Sequence, residues 1–401
     1  MKFLIVKTTT SAFDILFAVL AFTIPLSFAL PNIFLVFAFL TFLVNRNKEK
    51  TNIYIKLVLF FAGFIILKAL FNKGFVENFF MHKHLIAFVA ISILAFNIKD
   101  TGLVKKGFVL GVISAVIFTT AQIVIYYLKN NSIPLGNSSL ASELLIIHRP
   151  YFGFICFLGI MCSADLINGA KGLKERTLYK IAITLFVGFI YLIVARLALG
   201  LVFVYVLVIV LRRIKIYNKK LTPIIGVFIG VVLLLAVNNK NLKKRFHIQN
   251  TYTNTIKVIS NQEPRVVIWS CFLKLIKSPH FNYLTGYNDQ KRIQSDLNNC
   301  YKSSIQNVSK KEYYLKTKFN THNQFFDFFL QGGIIGITLF LLILGYSFYL
   351  CRFNFTSLFV LVGFVLFLIA ENLFHRQIGV YLVGVFIPLF LNTHTAKKLK
   401  K

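Results

Sequence analysis

The chain has 401 residues, of which 57% are hydrophobic and only 14% charged, with a mean hydropathy of +0.72 and a formal net charge of +32. Soluble domains carry roughly 25% charged residues, so the composition excludes a water-soluble enzyme and indicates an integral membrane protein. The apolar residues come in near-continuous windows rather than in alternation, which excludes an outer-membrane barrel, and the excess of Lys and Arg is read through membrane topology rather than nucleic-acid binding.

Met1 to Lys7 is a short basic start, and the apolar run behind it passes Pro25 and Pro31 without a small-residue cleavage site, so no cleaved signal is expected. Twelve spans are predicted, near 12–29, 31–44, 53–71, 84–98, 106–128, 150–168, 179–194, 197–211, 221–238, 325–349, 355–371 and 376–392. Residues 181–211 are apolar apart from Arg196. As one helix they would run about 46 Å against a hydrocarbon core of about 30 Å, so two helices turning at Ala195–Arg196 are expected. With the N-terminus inside, the inner segments collect 22 Lys and Arg and the short outer segments six. That bias puts both termini in the cytoplasm and the segment 239–320 outside.

The outer segment is too long to be a bare connection and should fold, with Arg265 to Lys277 helical around Trp269. It holds fifteen Lys and Arg against Glu263, Asp289, Asp296 and Glu312, an excess of eleven. Such a vestibule favours an anionic ligand, although any single Lys there reads equally well as a solvated side chain. Cys271 and Cys300 share this segment and are either a disulfide of an oxidising compartment or two buried thiols.

Behind it comes Thr321-His322-Asn323-Gln324, where Thr followed three residues later by Gln, just before an apolar run, predicts a capping box and a helix start. At about 100° per residue, Phe326, Phe329, Gly333 and Gly336 fall near the azimuth of His322. Gly332 and Gly336 form a small-xxx-small pair that lets another helix approach closely. In the first turn, the positive end of the helix dipole attracts anions and disfavours a second proton on His322, leaving a usable proton acceptor.

Ionisable groups at membrane depth are costly and usually functional. Arg149 enters a span from outside with Pro150 behind it, Arg196 tops a helix pair, Arg265 lies in Pro264-Arg265-Val266-Val267-Ile268-Trp269, and Glu371, Asn372, His375 and Arg376 gather at the last outer turn. A guanidinium offers a planar fork that suits phosphate oxygens and stays charged in a partly dry site; the plainer alternative is an Arg that snorkels to headgroups. Glu371 and Arg376 read as a structural pair tying two helices. There is no Gly-rich phosphate loop, glycosidase-type carboxylate pair, nucleophile elbow or metal-ligand spacing, and no evident internal repeat or broken helix of transporter type.

His322-Asn323, nine residues, Gly333, two residues and Gly336 resembles the His-Asn, nine-residue, Gly-x-x-Gly pattern of the bacterial O-antigen ligase family, which includes related O-antigen polymerases. Ala195-Arg196-Leu197-Ala198 is similar to the family's Ser-Arg-Gly-Ala segment, and Arg265 with Trp269, Pro279 and Gly286 to its loop pattern; the resemblance covers roughly residues 145–390. It implies an all-α integral membrane protein of about 12 transmembrane helices with one large, partly helical periplasmic loop. The divisions expected are 1–144 for the N-terminal transmembrane helices, 145–392 for the ligase-like domain including periplasmic loop 239–320, and 393–401 for a basic cytoplasmic tail.

The activity implied is glycan transfer from undecaprenyl diphosphate to a sugar hydroxyl at the periplasmic side of the bacterial inner membrane, inverting and metal-independent, with no cofactor. His322, Arg265 and Arg196 would be catalytic and Arg149, Asn323 and Trp269 substrate-binding, with Gly332, Gly333 and Gly336 in helix packing. The acceptor is lipid A-core for a ligase, in lipopolysaccharide O-antigen assembly, or a lipid-linked glycan for a polysaccharide polymerase. The competing class is a lipid-linked oligosaccharide flippase or permease; a peptidoglycan polymerase of the shape, elongation, division and sporulation family shares the carrier lipid but matches no motif here.

Overall fold

The computed structural model describes residues 11–44, 52–71, 79–131, 143–217 and 263–398, and every regular element among them is helical. In chain order these are α1 (Ala12–Thr23), α2 (Leu30–Val44), α3 (Ile53–Phe71), α4 (Phe79–Phe96), α5 (Thr101–Asn130), α6 (Arg149–Gly169), α7 (Leu173–Leu192) and α8 (Arg196–Tyr217). Then come α9 (Pro264–Leu275), α10 (Gln290–Ser304), α11 (Val308–Thr317), α12 (Gln324–Cys351), α13 (Phe355–Ala370), a 3-10 turn (Leu373–His375) and α14 (Gln377–Lys398). Helices stand at eleven of the twelve predicted spans; the remaining one, 221–238, lies outside the described residues. Four of them, α3, α5, α6 and α12, are long and apolar enough to cross a membrane, while α1, α2, α13 and the apolar parts of α4 and α14 are shorter.

The bundle hides its small residues and shows its large ones. Gly107 and Gly111 on α5 bring α1 so close that a Cβ at either would lie 2.3 Å from the Ala18 carbonyl oxygen or 2.1 Å from that of Phe22. Meanwhile Phe60, Phe118 and Leu128 point outward. Apolar residues repeated along outward faces would be a liability in water and suit a lipid surround. Residues 181–211 form two helices, as the hydrocarbon thickness requires: α7 ends at Leu192, Val194 takes a left-handed conformation (φ 51°), and α8 begins at Arg196.

At one end of the bundle, α9, α10 and α11 build a second core around Ile268, Phe272, Leu297, Tyr301 and Tyr314. Leu330 of α12 belongs to the same core, and Phe326 stacks on Phe272 with ring centroids 3.9 Å apart, so this layer is seated on the first turns of α12. Cys271 and Cys300 are disulfide-bonded, tying α9 to α10.

Two local expectations are corrected here. The cap of α12 is Asn323, whose side-chain oxygen accepts from the N–H groups of Phe325 and Phe326, not the Thr321 hydroxyl. Thr321 is taken by a tertiary partner, accepting from Asn372 Nδ2 at 2.9 Å, and Gln324 accepts the N–H of Phe374. His322 therefore precedes the helix, with φ 44°, and shares no helical azimuth with the residues below it.

Nor is α12 continuous, although the sequence shows no broken helix. Gly333 (φ 58°, ψ −155°) interrupts it, and the loop from α9 to α10 enters the break. Ile334 and Ile335, which lose their helical acceptors there, donate to the Tyr283 and Leu284 carbonyls at 2.8 and 3.2 Å. Tyr287 donates to the Leu330 carbonyl, and the Lys68 ammonium of α3 donates to the carbonyls of Thr285, Tyr287 and Gln331. The exposed polar backbone of a broken membrane helix is thus satisfied by protein. Gly332 and Gly336 meet α3 at Ile65 and Phe64.

Candidate active site

Three helices start at one cavity of about 430 Å³ beneath the α9–α11 layer. Arg149 is the first residue of α6 and Pro150 follows it, where the missing proline N–H costs no helical bond. Arg196 opens α8. Glu263 stands at the N-cap position of α9 without capping it through its side chain, Pro264 begins the helix and Arg265 is next. All three arginines line the cavity, with Trp269, Glu263 and Glu371. The positive ends of three helix dipoles therefore add to three guanidiniums, which makes the cavity a place for an anion. Gly153 permits the gathering, because α6 touches the Ala195 and Ala198 methyls there and a Cβ would sit 2.4 Å from Ala195.

Two carboxylates hold the guanidiniums. Glu263 receives Arg265 Nη1 at 2.7 Å and Arg196 Nη2 at 3.4 Å, so one acid spans both. Arg265 Nη2 also donates to the Ala370 carbonyl at the end of α13 (2.7 Å) and approaches Glu371 Oε1 at 3.3 Å. A cation at a helix C-terminus is favoured by the same dipole logic. Three guanidiniums against two carboxylates leave one net positive charge lining the cavity.

The other Glu371 oxygen lies 3.3 Å from His322 Nδ1. With a carboxylate there, the neutral ring carries its proton on Nδ1 and presents the Nε2 lone pair on the far side. His322 is 27% exposed and Glu371 10%, so the imidazole is open to solvent and its partner is not. Burial pushes the Glu371 carboxyl up, but the His322 hydrogen bond together with the His322, Arg265 and His148 charges outweighs it, and the pKa falls below the ordinary carboxylate value. The Trp269 indole donates to the Thr321 carbonyl at 3.2 Å, one residue before His322. The left-handed non-glycine residues nearest the site are His322 itself and Val194, two residues before Arg196, and candidate sites are where such strain tends to be stored.

The structure thus brings together Arg149, Arg196, Arg265, Trp269 and, through Glu371, His322. Asn323 is 4% exposed and occupied as a helix cap, and Gly332, Gly333 and Gly336 lie deeper, against α3 and the inserted loop. Glu371 does not pair with Arg376 as the sequence reading held; Arg376 lies over the Tyr151 ring, 5.4 Å from its centroid. The two carboxylates were not singled out for the site. Glu263 was findable, since it is an acid directly before a helix-starting proline and two residues from Arg265, whereas Glu371 reaches Arg265 from more than a hundred residues away.

Residues 181–341 match the O-antigen ligase family. Over that stretch the chain is similar to the family. That match contains Arg196, Arg265 and His322; Arg149 and Glu371, from outside it, complete the site. No curated protein matches the chain.

Proposed function

We propose that this protein is a membrane glycosyltransferase of the O-antigen ligase type, set in the inner membrane and working at the periplasmic side. It moves a glycan from undecaprenyl diphosphate to a sugar hydroxyl of lipid A-core. One observation carries the reading: three guanidiniums at three helix N-termini surround one cavity, and Glu371 in its lining holds the His322 imidazole.

The acceptor hydroxyl attacks the anomeric carbon and its proton passes to His322 Nε2. The bond between that carbon and the phosphate oxygen breaks, and its electron pair leaves with the diphosphate, so the sugar configuration inverts. Charge grows on the leaving group, and fixed guanidiniums stabilise it more in the transition state than in the ground state. The diphosphate oxygens take the place of Glu263 between Arg196 and Arg265. Glu371 keeps His322 turned with Nε2 outward. The Cys271–Cys300 disulfide supports an oxidising compartment for this end of the bundle.

The test is transfer by purified protein from an undecaprenyl-diphosphate glycan. Arg265→Ala should lower kcat about 10²–10³-fold, the cost of removing one preorganised donor to a developing anion. His322→Ala should lower it about 10²–10⁴-fold, the range for a lost general base. Full rates in both variants at normal expression would overturn the reading.

A further inference from the structure

The place between Arg196 and Arg265 is filled by an anion that belongs to the chain. Glu263 Oε1 accepts from Arg265 Nη1 at 2.7 Å and Oε2 from Arg196 Nη2 at 3.4 Å, so each oxygen of one carboxylate answers one guanidinium. The helix behind it does not use this side chain: Glu263 stands at the N-cap position of α9 and makes no side-chain cap bond. Arg265 does not depend on it for position either, because Nε and Nη2 both donate to the Ala370 carbonyl, at 3.3 and 2.7 Å, and Nη2 also reaches Glu371. The Glu263 side chain is 19% exposed, so packing does not lock it in.

The cavity also reaches the outside of the bundle. Val194, Leu197, Phe367 and Ile369 line it beside the charged groups, and Ile369 is exposed. A bilayer offers such a site many anionic headgroups, among them phosphodiesters such as phosphatidylglycerol, which bear a single negative charge. Guanidiniums bind phosphate oxygens of any origin, so the arginines alone do not distinguish a carrier-lipid diphosphate from a bulk phospholipid. Glu263 supplies the distinction. A monoanion that displaces it exchanges one carboxylate for one phosphate on the same two donors, against a competitor tethered beside the site at high effective concentration. A diphosphate diester carries a charge on each phosphate, so it gives each guanidinium an anion of its own where Glu263 divides one between two.

We propose that Glu263 is a specificity-determining residue, an internal anion that bars singly charged phospholipid headgroups from the arginine cavity and yields to a diphosphate. The proposal rests on the transferase reading and adds to it how the site selects among the anions of its own membrane. Specificity of this kind is a difference between two affinities, and an obstacle that only the wrong ligand fails to repay widens it.

Full-length protein in nanodiscs tests it, because Trp269 is the only tryptophan and lines the cavity. Undecaprenyl diphosphate is titrated against Trp269 fluorescence in phosphatidylcholine discs and in discs with rising fractions of phosphatidylglycerol. The wild-type midpoint should not move along that series. Glu263→Gln keeps the shape and removes the charge, so its midpoint in phosphatidylcholine should fall about tenfold or more, as expected when a competitor for charged hydrogen bonds is lost. It should then climb back as phosphatidylglycerol is added, whereas a merely structural role would shift the midpoint equally in every disc. An unchanged or weaker midpoint in phosphatidylcholine, or the same phosphatidylglycerol dependence in both proteins, would overturn the proposal. So would a wild-type midpoint that rises with phosphatidylglycerol, a result that needs no variant and stands even where Glu263→Gln does not fold. The transferase reading fails separately, if undecaprenyl diphosphate leaves wild-type Trp269 unchanged in every disc. Phosphatidylglycerol titrated alone still decides Glu263 in that case, since it should alter Trp269 emission in the variant and not in wild type.

Discussion

Glu371 is the residue on which the site turns, since its two oxygens address the imidazole and one guanidinium separately. Its role is positional: it touches His322 and Arg265 and fixes which ring nitrogen faces outward. Glu371→Gln keeps the shape and removes the charge, so it should lower kcat about 10–100-fold, the usual effect of losing a partner that orients a functional imidazole. The donor KM should stay nearly constant. Because the carboxyl pKa lies below its ordinary 4.5, the pairing stabilises the fold at pH values above that and is lost as pH falls through the lowered value. The difference in melting temperature between wild type and Glu371→Gln, followed through Trp269, should therefore be full at neutral pH and shrink only below about 4.5. A gap that stays constant down to pH 3 would show that the charge is not what stabilises.

At the scale of elements, the break in α12 is a joint between the bundle and the layer above it. Gly333 has φ 58°, and a Cβ there would fall 2.4 Å from the Leu284 carbonyl carbon and oxygen. Gly333→Ala therefore meets both strain and a backbone collision, of which the strain alone costs about 1–3 kcal/mol. The inserted loop should back out of the joint, and protease cleavage within 278–290 should accelerate several-fold while α5 and α6 stay protected. Unaltered cleavage would mean the joint does not hold the layer. The joint also shows where sequence reading stops. Long apolar runs reveal the helices, and membrane thickness alone demands the turn before Arg196. Gly333 looks like an ordinary packing glycine because the loop that occupies its break lies some fifty residues upstream. Similarly, Thr321 and Asn323 are both good caps by type, and Asn372, far along the chain, settles the choice by engaging Thr321.

At the scale of the molecule, the candidate site lies at one end of the described bundle. The arginines, His322 and the disulfide-tied layer share it, while Lys105–Asp165 and Lys106–Glu175 pair up where α5 starts and α6 ends, at the other. The proposed transfer uses a lipid diphosphate of the periplasmic leaflet, so it requires that the first end face outward. The protein is suited to thiol mapping, because Cys156, Cys162 and Cys351 are buried and the other two cysteines are bonded. In cells with a permeabilised outer membrane, a membrane-impermeant maleimide should label Glu312→Cys, on exposed α11, and label Lys174→Cys, at the start of α7, only after lysis. The reverse pattern would put the guanidiniums in the cytoplasm, away from the leaflet of the proposed donor, and no arrangement of residues within the site could then rescue the proposed reaction.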